Sequence, residues 1–169
     1  KKRILDQLSA LNLASQKNDR IHLLVIGTGK LMTEAKKYVA EEQLPVTFAG
    51  FLNQTEITQA YVAADCLVLS SDYDETWGLV VNEAMVCGLP AIVSDRAGSG
   101  MDLIKEGKTG YLYPFADTEL LSERMLQMAG DKNKMCEMGK QARDLILSEY
   151  TVENAVAGTV QAVKAVLKN

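Results

Sequence analysis

Apolar residues along this chain fall into two patterns. Five short runs are apolar almost without interruption: 22–26, 46–50, 66–70, 91–94 and 110–114. Between them lie longer segments whose apolar residues recur every three or four positions. The runs predict strands and the periodic segments predict helices, over 2–14, 31–42, 55–64, 79–87, 117–129, 132–147 and 151–168. Thr55 is the expected N-cap of the third helix, and Gly88-Leu89-Pro90 closes the fourth. The strands lack polar alternation, so both of their faces should be covered by helices. The implied fold class is α/β, a doubly wound, Rossmann-like parallel sheet in one domain spanning 1–169. Such units open on a strand, whereas this chain opens on a helix. A first strand is therefore expected upstream of Lys1.

Composition adds little to that picture. The chain has 169 residues, 47% hydrophobic and 24% charged, with a net charge of −4. An acidic domain is not expected to bind nucleic acid through its overall field. Cys66, Cys87 and Cys136 are odd in number and far apart, which suggests three buried thiols in a reducing, cytoplasmic setting rather than disulfides or a zinc site. Lys1-Lys2-Arg3 is not followed by a signal-peptide core, and no apolar stretch reaches the ~18 residues of a membrane span.

The candidate chemistry lies between 70 and 90. Here a strand, a polar loop (Ser71 to Trp77) and a helix succeed one another. Loops at the carboxyl ends of parallel strands are where doubly wound folds bind ligands. Gly78 stands where the helix begins and permits close approach of a ligand to the backbone. Free amides at a helix start can accept a phosphate without help from net charge. Glu75 and Glu83 flank that position and accept hydrogen bonds only, which suits hydroxyl donors such as a ribose diol or a hexose. The chemistry reads as a nucleotide-sugar site.

The flanking residues sharpen this. Glu75 and Glu83 stand in an E-x(7)-E spacing within E-T-W-G-L-V-V-N-E-A-M, trailed by C-G-L-P-A-I-V-S-D and Gly107-x-x-Gly110. The composite strongly resembles the glycosyltransferase group 1 family, the retaining, GT-B-fold enzymes of family 4. It resembles only their C-terminal, donor-binding half, over roughly residues 2–165. The resemblance implies that Glu83 holds the donor ribose and that Glu75, the candidate catalytic residue, lies near the donor sugar and leaving phosphate. It implies that the Gly78, Leu79 and Val80 amides meet the pyrophosphate and that Lys2 helps neutralise it. Gly27 and Gly29, around Thr28, resemble the family's glycine turn. Phe51 and Leu52, with Asn53, resemble the loop beside the nucleobase. Gly98-Ser99-Gly100 resembles a flexible loop near the donor sugar, and 151–168 a helix crossing back to the acceptor half.

The activity implied by the resemblance is transfer of a hexose from a nucleoside-diphosphate sugar to a glycan or lipid-linked acceptor, as in polysaccharide biosynthesis. No metal or other cofactor is implied; amides and cations stabilise the leaving group. An N-terminal domain would bring the acceptor, at the inner face of the membrane, and the isolated half would be inactive. Competing assignments are a metal-dependent transferase using Asp72-x-Asp74, a nucleotide-sugar epimerase and a non-catalytic nucleotide-binding module. A dinucleotide site is disfavoured because Met32 stands where the third glycine of G-x-G-x-x-G belongs. Trp77 is expected to buttress the loop. His22 and the Met125, Met128, Met135 and Met138 stripe are expected to be structural.

Overall fold

The computed structural model describes residues 2–167. The elements follow the order the sequence predicts, with one helix, α5, that it does not: α1 (Ile4–Ser15), β1 (Leu23–Ile26), α2 (Met32–Glu41), β2 (Val46–Gly50), α3 (Ile57–Ala63), β3 (Leu67–Leu69), α4 (Val80–Val86), β4 (Ala91–Ser94), α5 (Gly98–Leu103), β5 (Gly110–Tyr113), α6 (Thr118–Gly130), α7 (Lys132–Glu149) and α8 (Val152–Val166). The end of the helix predicted over 151–168 falls outside the described residues.

All strand pairs are parallel. The strands form two sheets, however: β1 with β2, and β3-β4-β5 in that order. β1 sets Leu23 opposite Val46, with a register shift between Val25 and Ile26. β4, which has neighbours on both sides, is buried along its whole length, and Tyr111 and Tyr113 of β5 are buried too. β1 is equally apolar but only half-buried at all four residues.

Helix ends obey local chemistry. Asp117, Asp131 and Thr151 cap α6, α7 and α8 by accepting from the amide three residues on. α4 ends in a Schellman motif, with the Gly88 amide on the Met85 carbonyl and the Leu89 amide on that of Ala84. Gly88 has φ +85°, which a side chain would resist. α3 starts differently from the expectation. Asn53, not Thr55, organises its entry, accepting from the Thr55 and Glu56 amides while its own amide donates to Glu56. An Asn side chain can make this turn before the helix proper begins.

The methionine stripe is core, with Met125, Met128, Met135 and Met138 packed around Tyr111, Ile92 and Leu121. His22 shares a hydrogen bond with Thr47 across β1 and β2 at 2.8 Å. Two expectations fail. The three thiols are not all buried: Cys66 and Cys87 are half-buried, and Cys136 is exposed because Met135 and Met138 take the inward face of α7. Gly98-Ser99-Gly100 is not a flexible loop but the buried start of α5. Among the described residues no helix is long and apolar enough to cross a membrane.

Candidate functional site

The polar residues at the strand ends collect along one rim of the sheets, the carboxyl rim. Ser70 and Ser71 follow β3, Ser94 ends β4 and Asp95 follows it, Gly27 follows β1 and Phe51 follows β2. Ser70 and Ser71 are fully buried and begin the loop that carries Glu75. The Ser70 hydroxyl donates to the Lys2 carbonyl at 2.9 Å. This fastens the start of the chain to the end of β3.

That anchor sets the first site pair. The Lys2 ammonium stands 2.5 Å from Glu75 Oε2, and the Ser71 hydroxyl donates to the same oxygen at 3.4 Å. Two residues far apart in the chain, both singled out in the sequence, are thus brought together.

The loop around Glu75 is held by close backbone packing. Asp72 accepts from the Asp74 amide through its side chain and from the Glu75 amide through its carbonyl. The Gly98 amide donates to the Glu75 carbonyl and the Ser99 amide to that of Trp77. A Cβ at Gly98 would overlap the Thr76 carbonyl oxygen and stand 3.0 Å from its carbon. Only glycine lets α5 come this close. Trp77 donates from Nε1 to Asn82 at 2.8 Å and stacks obliquely near Tyr150. It ties the loop to α4 and to the end of α7, the buttress its position suggested.

Gly78 has φ +92° and a Cβ there would lie 3.4 Å from Glu75 Cγ. The amides of Gly78, Leu79 and Val80 have no acceptor among the described residues, whereas those of Val81 and Glu83 close turns onto the Gly78 and Leu79 carbonyls. Leu79 is 66% exposed. Glu83, one turn into α4, accepts from the Tyr61 hydroxyl at 2.8 Å. Burial, then that bond, raises the Tyr61 pKa well above its ordinary value, so the hydroxyl stays a neutral donor. Sequence reasoning missed Tyr61, because a residue 22 positions away carries no local signal.

The remaining predicted residues lie on the other sheet. Gly27 has φ +106° and its amide donates to the Gly50 carbonyl, joining the ends of β1 and β2. Gly29 is exposed beyond it, Phe51 is 75% exposed and Leu52 is half-buried. Sequence reasoning also missed Arg96, whose guanidinium lies 4.1 Å from the centroid of the Tyr73 ring. This adds a cation beside the Glu75 loop. Among the described residues no three His, Cys, Asp or Glu side chains are grouped to hold a metal ion.

Comparison with known proteins matches this arrangement to one family. The sequence pattern described as "Glycosyl transferases group 1" matches residues 1–145. "Sulfoquinovosyl transferase SQD2" of Arabidopsis thaliana is 35% identical over 140 residues, 81% of this chain and 27% of its own length. This chain therefore spans about a quarter of that relative. A Staphylococcus aureus TarM variant in complex with fondaparinux, alpha-GlcNAc-glycerol and UDP superposes with a TM-score of 0.86 at 22% identity, over 95% of this chain and 32% of that one. The C-terminal domain of a glycosyl transferase group 1 family protein (LpcC) from Francisella tularensis superposes with a TM-score of 0.80 at 23% identity, over 89% of this chain and 80% of that one.

Proposed function

The chain belongs to the group 1 glycosyl transferases and has the GT-B-type α/β fold, and from that premise we propose that it is the donor-binding half of a retaining hexosyltransferase. The donor is a nucleoside-diphosphate sugar, and the acceptor a glycan or lipid-linked saccharide delivered by a separate N-terminal domain. α8 crosses back to that domain. Catalysis takes place in the cytoplasm, at the inner face of the membrane.

One observation carries the reading. Two carboxylates with different partners, Glu75 on Lys2 and Glu83 on Tyr61, flank the Gly78–Val80 amides, which have no acceptor among the described residues. In this assignment those amides donate to the diphosphate. Glu83 accepts from the ribose hydroxyls, with Tyr61 fixing its orientation. Gly27, Gly29, Phe51 and Leu52 line the nucleoside side of the crevice.

Lys2 has a double role. In the free protein it neutralises Glu75. When the donor binds, the diphosphate competes for the same ammonium, and Glu75 is released toward the sugar. As the glycosidic C–O bond to the phosphate breaks, Lys2 and the amides take up the leaving negative charge. Preorganised donors of this kind contribute about 3–4 kcal/mol each to transition-state stabilisation. The isolated half binds the donor but does not transfer the sugar.

A thermal-shift panel tests the assignment. UDP, GDP and ADP are each added with EDTA or with Mn²⁺. One nucleoside diphosphate should raise the midpoint in EDTA, and at ~100 Kd the stabilisation is about 2.7 kcal/mol. A shift that needs Mn²⁺ would move the chemistry to Asp72 and Asp74. No shift with any of the three would refute the donor site.

A further inference from the structure

Ser99 stands second in α5 and is fully buried. Its hydroxyl has no hydrogen-bond partner among the described residues. A buried hydroxyl left unpaired destabilises the state that holds it, and exceptions of this kind concentrate at functional sites. Backbone contacts fix where this hydroxyl lies. The Ser99 amide donates to the Trp77 carbonyl at 2.8 Å, and the Gly98 amide to the Glu75 carbonyl at 3.3 Å. α5 thus holds the hydroxyl in one unit with the Glu75 loop. Gly78 leaves space between the two side chains. A Cβ on Gly78 would lie 3.4 Å from Ser99 Oγ, 3.4 Å from Glu75 Cγ and 3.0 Å from Leu69 Cδ2. With only a hydrogen there, Ser99 and Glu75 border one small gap, with Leu69 as its apolar wall. The Glu75 carboxylate is turned to other partners. Its Oε2 is held by the Lys2 ammonium and the Ser71 hydroxyl.

We infer that Ser99 is a positioning residue for Glu75, its hydroxyl being a second seat for the carboxylate, unused while Lys2 holds that carboxylate and taken up once the ammonium is drawn away. The step is a change of Glu75 rotamer. The Ser99 O–H donates to a carboxylate oxygen, and its proton stays on the serine. Relative strength sets the order of the two seats. An ion pair adds Coulomb attraction to its hydrogen bond, so Lys2 outcompetes a neutral hydroxyl. When an anion engages the ammonium, a largely buried carboxylate is left short of donors, which is costly. Ser99 is already in place to supply one. The use of this seat during transfer rests on the donor reading: Glu75 points to Lys2 before the diphosphate arrives and to Ser99 afterwards. A neutral donor suits the second seat because it orients the carboxylate without cancelling its charge. Gly78 then has a purpose beyond its φ of +92°. Any Cβ there would fill the gap that the carboxylate has to enter.

A double-mutant cycle on the ligand-free chain tests the seat, read by urea unfolding at neutral pH. Ser99→Ala alone removes an unpaired hydroxyl, so the variant should be as stable as the wild type or more stable. Lys2→Met removes the ammonium and sends the carboxylate to its second seat; the Lys2 side chain is 52% exposed, so the fold survives the change. In that background Ser99→Ala should lower the folding constant ~10-fold, through loss of a hydrogen bond to a charged group. Adding Glu75→Ala should abolish this loss, because the partner is then gone. A purely structural serine would give the same effect in all three backgrounds. Equal effects of Ser99→Ala with and without Lys2, whether a loss or none, overturn the proposal. A loss that persists without Glu75 overturns it as well. The cycle contains no nucleotide, so its failure leaves the donor reading standing, and failure of the donor reading leaves the cycle standing.

Discussion

Replacing Gly98 by alanine separates the shape of the Glu75 loop from the stability of the fold. The added methyl would overlap the Thr76 carbonyl oxygen, 3.0 Å from its carbon and 3.3 Å from the Trp77 Cα. These are backbone atoms, so no side chain can swing aside. Carbon atoms rest at about 3.5–4 Å, and one partner must withdraw by about 1 Å. α5 cannot withdraw easily. A Cβ built on Gly100 already lies 3.1 Å from Leu112 and from the Ser94 carbonyl. The loop is half-exposed and yields instead. Overpacking of this kind costs about 1–3 kcal/mol, or roughly 5- to 150-fold in an equilibrium.

Most of that cost should fall on ligand binding, because the Glu75 carbonyl and the approach to Gly78 move with the loop. Calorimetric titration of Gly98→Ala with the nucleoside diphosphate that stabilises the parent chain should give an affinity lower by that factor. The thermal midpoint should change little. Gly130→Ala is the control: a Cβ there meets nothing within 4 Å. Wild-type affinity in Gly98→Ala, with or without a fall in midpoint, would refute the idea that α5 shapes the site through this contact.

Three other outcomes rest on the same geometry. Tyr61→Phe removes the hydrogen bond to Glu83 and should weaken nucleotide binding roughly 2- to 13-fold, for a net bond of about 0.5–1.5 kcal/mol; equal affinities would show that Glu83 needs no such support. Gly139→Ala puts a Cβ on the Gly88 carbonyl, where α7 crosses the end of α4, and should cost about 1–3 kcal/mol of stability in urea unfolding with nucleotide affinity unchanged. Burial pushes the Cys66 thiol up to about 12 from its ordinary 9.0, so its contribution is complete below about pH 9 and is lost as pH rises toward 12. Stability should fall by up to ~1.4 kcal/mol per pH unit in that window, with Tyr61 and Tyr113, also raised mainly by burial, adding to the fall above about pH 10. A stability flat from about pH 8 to 11 would contradict this.

Element order was legible in the chain because the apolar runs and the helical periodicity are strong and local. β2 and β4 match their expected bounds, and most helices differ by one or two residues at an end. α5 was not legible. Two glycines and a serine read as a loop, and only the Thr76 carbonyl beside them shows why glycine is required. The division into two sheets was invisible because strand patterns carry no information about which edges pair. The site was legible as a set of residues but not as a set of partnerships. E-x(7)-E marked Glu75 and Glu83, and nothing in the spacing foretold that Lys2 would reach Glu75 or that Tyr61 would hold Glu83. Such long-range partners depend on how the helices cross the sheets. The thiols show the same limit: periodicity marked α7 as amphipathic but did not fix which face Cys136 would take.

The central claim is that the 70–86 segment is a nucleotide site in which Glu83 holds the ligand. Its most direct test is a calorimetric titration of the wild-type chain and of Glu83→Ala with the same nucleoside diphosphate, together with their ligand-free melting curves. Glu83 is exposed and its side chain packs into no core. The account predicts saturable binding to the wild type. It predicts an affinity at least ~10-fold lower in Glu83→Ala, as expected for a charged hydrogen bond of about 1.5–3 kcal/mol, with ligand-free melting shifted by no more than a few degrees. Unchanged affinity in the variant, or a loss of binding matched by loss of the fold, would contradict it.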